Sequence, residues 1–280
     1  MRVISDAPGQ TCNRLWSYVA TVARCIVEKR KMMILFYDEV VEDFPSFLHC
    51  PFIYFPLWNK WLLEKCNGWK YYKGISWRIK FDHKKTWDRI SSFLGFTNGW
   101  QTRQDSRYLQ QALPKLKEIF RPREAITHRA EEMIVNIRKS SDIIIGIHIR
   151  RGDYATWHNG RFFYDLEDYH QFMIRLQNLY KNRRVTFFIS SNENFDMAYF
   201  EGCNCKRFGK EPSGVVLDLY TLSLCDRIIG PFSSYSRWAS FIGEVPLCFV
   251  ESKDQLFTEE SFSKIVDFFH FENGKEIYDW

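Results

Sequence analysis

The run His148-Ile149-Arg150-Arg151-Gly152-Asp153-Tyr154 sets an imidazole and two guanidiniums beside one carboxylate. A guanidinium is planar, forked and always charged, so it suits bidentate contact with phosphate. Asp153 stands where it can hold one arginine in place; an ordinary strand-end salt bridge would use the same residues. The Arg151-Gly152-Asp153 tripeptide is too short to read as an adhesion signal. A second group is Gly230-Pro231-Phe232-Ser233-Ser234-Tyr235-Ser236-Arg237-Trp238-Ala239. Hydroxyls and unpaired N–H groups where a loop enters a helix make an anion site, although a plain serine N-cap looks the same. Asp218 lies upstream, on the helix that feeds this strand. A third group is Pro8-Gly9-Gln10-Thr11-Cys12-Asn13-Arg14-Leu15-Trp16, in which Gly9 permits an unusual backbone and Asn13 either caps a helix or reaches into a cleft. It lacks the GxGxxG spacing of a dinucleotide fingerprint. The fourth is Ser190-Ser191-Asn192-Glu193.

Strand ends must position all four groups. Arg2–Ser5 reads as a short strand, and apolar residues recur at helical spacing from Asn13 to Lys31. Met32–Tyr37 is an apolar strand, so the chain opens as β-α-β with a buried parallel sheet. Leu113–Lys139 reads as helix in two pieces, the second starting at Pro122. Ile143–Ile149 is a central strand, apolar on both faces until His148. A helix follows over Phe163–Tyr180, then a strand over Val185–Ser190. The remaining elements are a helix at Val215–Leu224, a strand at Arg227–Gly230, a helix at Ser236–Ile242, a strand at Leu247–Val250 and a final helix at Glu259–Phe271. The expected architecture is two α/β units with a cleft between them, ligands lying beyond the carboxyl ends of the strands.

The 280 residues carry a formal charge of +5, with 45% hydrophobic and 26% charged residues. A disordered chain is thereby excluded. No apolar run approaches the roughly 20 residues of a membrane span, and the start MRVISDAPGQ lacks the apolar core of a signal peptide. The mild charge permits an anionic ligand without implying nucleic acid. Cysteines stand at 12, 25, 50, 66, 203, 205, 225 and 248. Only Cys203 and Cys205 are close, with no second pair at metal-ligand spacing, so reduced thiols and no disulfide-linked partner are expected. Aromatic residues reach 18%, including ten Trp. Many fall in 38–112, where Trp58, Trp61, Trp69, Trp77 and Trp87 alternate with Lys and Arg. That segment reads either as an insertion with its own aromatic core or as a wall for an acceptor.

Taken together, the four groups resemble the α1,2-fucosyltransferases of glycosyltransferase family 11. HIRRGD is similar to the family's His-x-Arg-Arg-x-Asp motif, FFISSNENF to its second block, DLYTLSLCDRIIGPFSSYSRWAS to its third, and GQTCNRLWSY to its Gly-x-x-x-Asn loop. Two departures stand out: Gln-Thr-Cys-Asn-Arg replaces the usual Gly-Leu-Gly-Asn-Gln, and Arg237-Trp238 replaces a double Trp. The resemblance implies a GT-B fold of two Rossmann-like domains, an acceptor-side domain at 1–138 and a GDP-sugar domain at 139–280, with the last helix free to pack back on the first.

The resemblance also implies GDP-fucose as donor, a glycan acceptor, inversion at the anomeric carbon and no required metal. Arg150 and His148 then face the donor diphosphate, Asp218 accepts from the guanine edge, and Ser233, Ser234 and Tyr235 hold phosphate and nucleoside. Asn13 sits by the reacting sugar, and Gly9, Arg151 and Ser191 line the donor site. Asp153 is the carboxylate nearest to act as general base, or else it orients an arginine. A non-catalytic GDP-sugar or glycan-binding protein and a transferase for another GDP-sugar are the alternatives. Nucleic acid is not expected as a partner. The expected location is cytoplasmic, with peripheral membrane association left open.

Overall fold

The computed structural model describes residues 2–4, 9–34, 39–55, 96–97, 99–209 and 214–277. It divides into two units, Met1–Arg123 and Glu124–Trp280. The aromatic residues Trp58 to Trp87 lie outside the described residues.

In the first unit, β1 (Arg2–Ile4), β2 (Met32–Ile34), β3 (Ile53–Tyr54) and β4 (Phe96–Thr97) pair in parallel in the order β3-β2-β1-β4. Helix α1 (Thr11–Glu28) joins β1 to β2. Its Leu15, Trp16, Val19 and Val22 recur at helical spacing and are buried. Helix α2 (Pro45–Leu48) brings Phe47 against Tyr18 of α1, ring centroids 5.7 Å apart, and against Phe120, at 4.8 Å. After α3 (Gly99–Thr102), α4 (Leu109–Ile119) packs its buried Leu109, Ala112, Leu113 and Leu116 in the same unit.

The second unit opens with α5 (Glu124–Arg138), followed by β5 (Ile143–Ile149), α6 (Leu166–Leu179), β6 (Val185–Ser191), β7 (Cys205–Lys206), α7 (Val215–Leu222), β8 (Arg227–Gly230), α8 (Ser234–Gly243) and β9 (Leu247–Phe249). Its sheet is parallel, in the order β7-β6-β5-β8-β9. Side chains alternate faces along a strand. Ile143, Ile145, Ile147 and Ile149 therefore share one core with Tyr169, Phe172, Met173 and Leu176 of α6. The even residues face the other way: a Cβ at Gly146 would lie 2.6 Å from Leu222 of α7, so glycine is what lets that helix approach. Strand order reverses beside β5, since β6 and β7 lie on one side of it and β8 and β9 on the other. The gap beyond the ends of β5 and β8 is the switch point of an open α/β sheet, the place where such sheets bind ligands.

Two expectations need correction. The boundary read at 138/139 falls at 123/124, because α5 belongs with the second unit, where Tyr220 of α7 donates to Glu131 at 3.1 Å. The helix expected over Glu259–Phe271 does not form. Only Glu259–Ser261 makes a 3-10 turn; antiparallel bridges Leu247↔Ser263, Ile265↔Phe271 and His270↔Glu276 follow. Asp267 accepts from the Phe269 N–H at 2.7 Å and contacts His270, closing a tight turn where a helix would continue. Phe257 and Phe262 join the second unit's own core. The Cys203–Cys205 pair borders the edge strand β7, its thiols pointing at Gln177 and Met173. Cys25, Cys50, Cys203, Cys205, Cys225 and Cys248 are reduced thiols.

Candidate active site

Strand β5 ends at Ile149, and the two arginines diverge from that point. Arg150 makes a forked ion pair with Asp153, its Nε and Nη2 donating to the two carboxylate oxygens at 2.9 Å each. Its own N–H donates to the hydroxyl of Tyr169, which fixes where the strand leaves the sheet. The guanidinium lies 5.8 Å from the ring centre of Tyr154. Arg151 turns the other way, over Phe163 at 5.5 Å and toward Glu193, 3.7 Å from Nε. The side chains of Arg150 and Arg151 stay 22% and 26% exposed, so both can still meet an incoming anion.

His148 differs in kind. It is the last even residue of β5, buried against α8, its ring 4.9 Å from that of Tyr235. Burial, with the positive charge of Arg150 adding to it, pushes its pKa down to about 3. The imidazole is therefore neutral at ordinary pH. Its Nδ1 is buried and has no hydrogen-bond partner among the described residues. Room for it comes from β8: a Cβ on Gly230 would stand 2.9 Å from the Cβ of His148.

The β8 side of the switch point is a helix start. Ser233 caps α8, its hydroxyl accepting from the Tyr235 N–H at 3.2 Å. The N–H groups of the first turn face the loop, giving a partial positive charge. Ser234 is half-buried. Tyr235 donates its hydroxyl to the Val215 carbonyl at 2.8 Å, tying α8 to the first turn of α7. Asp218 is buried one turn further along α7. Tyr154 spans the gap, its hydroxyl donating to the Phe232 carbonyl at 2.5 Å; burial raises its pKa to about 12.

The β6 end closes the third side. Ser191 pairs with Ile149 in the sheet, and its hydroxyl accepts from the Glu193 N–H at 3.1 Å. Glu193 in turn accepts from the Gly152 N–H at 2.9 Å, and Asn192 accepts from the Arg151 N–H at 3.4 Å. The second block thus holds the first by its backbone. Glu193 and Asn192 belong to the fourth group, but spacing alone does not single them out over Ser191. Their side chains matter because β5 and β6 are neighbours, a fact of the sheet.

Gly9 and Asn13 belong to the first unit. Gly9 has φ +62°, and a Cβ there would collide with the Asn13 amide. The Asn13 side-chain oxygen and carbonyl accept from Nη2 of Arg103, at 3.3 and 3.0 Å. Arg103 is buried and follows β4 and α3, ninety residues away in sequence, so no local motif announces it. Thr102 beside it donates to the Ser17 carbonyl at 2.6 Å, anchoring this stretch on α1. Among the described residues, no group of three or more His, Cys, Asp or Glu is arranged to hold a metal ion, and no helix is long and apolar enough to cross a membrane.

Two parallel α/β sheets, the second with arginines and a helix start at its switch point, are those of the GT-B fold. The chain belongs to glycosyl transferase family 11, the α1,2-fucosyltransferase family, whose members use GDP-fucose; the family model matches residues 79–248, more than half of the chain. No curated protein matches. A mutant of FUT1 from Arabidopsis thaliana, solved in complex with GDP, is similar in fold: TM-score 0.60, 11% identity, covering 99% of this chain and 79% of that one. POFUT1 in complex with GDP-fucose is similar with TM-score 0.53 and 10% identity, covering 89% of this chain and 96% of that one.

Proposed function

We propose that this chain transfers L-fucose from GDP-β-L-fucose to a glycan hydroxyl, with inversion and in α1,2 linkage, during synthesis of a surface polysaccharide or glycoconjugate. The observation that carries this is the β5/β8 switch point, where the Arg150 guanidinium lies against Tyr154, whose hydroxyl is bonded to the loop that starts α8, an arrangement suited to a diphosphate. In the displacement, the acceptor hydroxyl oxygen forms a bond to C1 of fucose as the bond from C1 to the β-phosphate oxygen breaks, and the hydroxyl proton passes to solvent or to the Asp153 carboxylate. The electron pair leaves with GDP, so negative charge grows at the diphosphate. Fixed donors at that position stabilise the transition state more than the ground state.

Arg150 supplies the fork, preorganised by Asp153 until the donor arrives. Ser233, Ser234 and the N–H groups behind them meet the phosphates, Gly9 and Asn13 lie on the sugar side, and Ser191 keeps Glu193 and hence Arg151 in register. His148 is neutral, so it serves the diphosphate side as an uncharged polar group and not as a cation or a base. Asp218 accepts from the guanine N1–H and amino group. With guanidiniums neutralising the leaving group, no divalent ion is required. The deciding experiment measures GDP release and fucosyl transfer from GDP-fucose with excess EDTA. Transfer that persists supports the assignment; complete loss restored by Mn²⁺ or Mg²⁺ refutes its metal-free part, and absence of GDP release with any metal refutes the enzyme.

A further inference from the structure

Directly after the arginine motif the chain does something costly. His158 (φ 47°, ψ 41°) and Asn159 (φ 58°, ψ 32°) are both left-handed, and Gly160 follows at φ 75°. Left-handed backbone is strained for residues with a Cβ, and such strain concentrates where a side chain must be presented in one way. The side chain presented is Trp157. It is 38% exposed, whereas Trp16 and Trp238 are each 1% exposed.

Trp157 does not hang free. Its inner side rests on Tyr154, centroids 4.7 Å apart, and on Phe162 at 5.5 Å. Phe162 is backed by Phe232 at 5.0 Å, which stacks on Phe249 at 4.5 Å. The indole is thus a fixed platform. His158 meets it edge to face at 4.4 Å, Arg161 lies over the neighbouring Phe162 ring at 5.3 Å, and His158, Asn159 and Arg161 are all exposed. A rigid aromatic face fringed by planar hydrogen-bonding groups suits a pyranose ring: C–H groups pack on the indole while hydroxyls meet the fringe. Tyr154, the ring beneath Trp157, also lies under Arg150, so the platform stands two ring contacts from the diphosphate arginine.

We propose that Trp157, with His158, Asn159 and Arg161, forms a stacking subsite for a pyranose of the acceptor glycan. This rests on the transferase reading above, but it can fail separately. The test uses the full chain and saturation-transfer NMR with four probes: the methyl glycosides of β-galactose, β-glucose, α-mannose and β-N-acetylglucosamine. GDP affinity is measured alongside by calorimetry, and GDP failing to bind wild type overturns the donor assignment alone. At least one glycoside should receive saturation from wild type. Trp157→Ala should lose at least about nine-tenths of that signal and keep GDP affinity within about twofold, while Trp157→Phe should keep most of the signal. The proposal is overturned by a signal that survives in Trp157→Ala, by no signal from any of the four in wild type, or by GDP binding lost along with the glycoside, which marks Trp157 as structural.

Discussion

Each unit reverses its strand order beside its first strand, at β1/β4 in one and at β5/β8 in the other. The two switch points are furnished in opposite ways. At β5/β8 the charged groups are half-buried and paired with carboxylates they can leave, Arg150 with Asp153 and Arg151 with Glu193. At β1/β4 the arginine is buried to 3% exposure and clamps Asn13 in place. The same topology therefore yields one rim that can take up a ligand's charge and one corner that holds a single amide still. The first arrangement suits a diphosphate that gains charge, the second a group that must not move.

Removing the fork breaks this contrast most severely. Arg150→Ala should lower turnover by about 10²–10³, as for loss of one preorganised donor. Arg150→Lys should fail nearly as badly, because a point charge cannot reproduce the planar fork. A Lys variant with near-normal GDP release would remove Arg150 from the diphosphate.

The buried corner should respond through turnover more than through donor affinity. Gly9→Ala forces a Cβ into left-handed backbone, at about 1–2 kcal/mol, and against the Asn13 amide. Arg103→Met removes the donor to Asn13, a charged hydrogen bond of about 1.5–3 kcal/mol. Both should cut transfer by about tenfold to a hundredfold, since small misplacements near the reacting atoms cost that much. GDP affinity should change little. Calorimetry showing GDP binding weakened as much as turnover would erase the distinction between the two corners.

Much of this was legible from the chain, and the limits have physical causes. The run Ile143–Ile149, apolar on both faces until His148, reads as a central strand, and the helix read at Ser236–Ile242 forms, beginning two residues earlier with Ser233 as its cap. Phe262, Ile265 and Phe268 misled because i, i+3 spacing also fits a bridged, aromatic-lined edge. The side chain that decides the matter, Asp267 turning back on Phe269 and His270, is too short-range to show in periodicity. Arg103 escaped, and Glu193 was visible only as a member of its group, for a different reason: their partners are Asn13 and Gly152, and sequence separation hides such pairs.

A smaller effect sharpens the nucleotide side. A hydrogen bond to a charged group is worth about 1.5–3 kcal/mol, and adenine lacks the donor pair that guanine offers Asp218, so GDP should bind at least about tenfold more tightly than ADP. Asp218→Ala should erase most of that gap. Equal affinities in wild type would refute guanine as the base, and an unchanged gap in the variant would clear Asp218 of the role.

The smallest effect comes from His148. Its pKa is near 3 in the fold, against 6.5 for a free imidazole, so the unfolded chain binds the extra proton in between. Stability therefore rises with pH across that window and falls as the pH drops below about 6.5, by at most about 1.4 kcal/mol per unit from this group. Urea midpoints at about pH 7, 6 and 5 should show a shallower acid decline for His148→Asn than for wild type. Equal slopes would mean that the imidazole takes up its proton without unfolding.

The close approach of Gly230 to His148 has an evolutionary consequence. The 2.9 Å between a hypothetical Cβ at 230 and the Cβ of His148 makes the two positions one steric unit shared by separate blocks of the chain. An alanine at 230 is tolerable only if residue 148 withdraws, and withdrawal uncouples the imidazole from Tyr235 and the helix it begins. Drift at either site is therefore epistatic on the other. A lineage can exchange the pair only through a double change, so the donor rim should diversify more slowly than the aromatic surfaces around it.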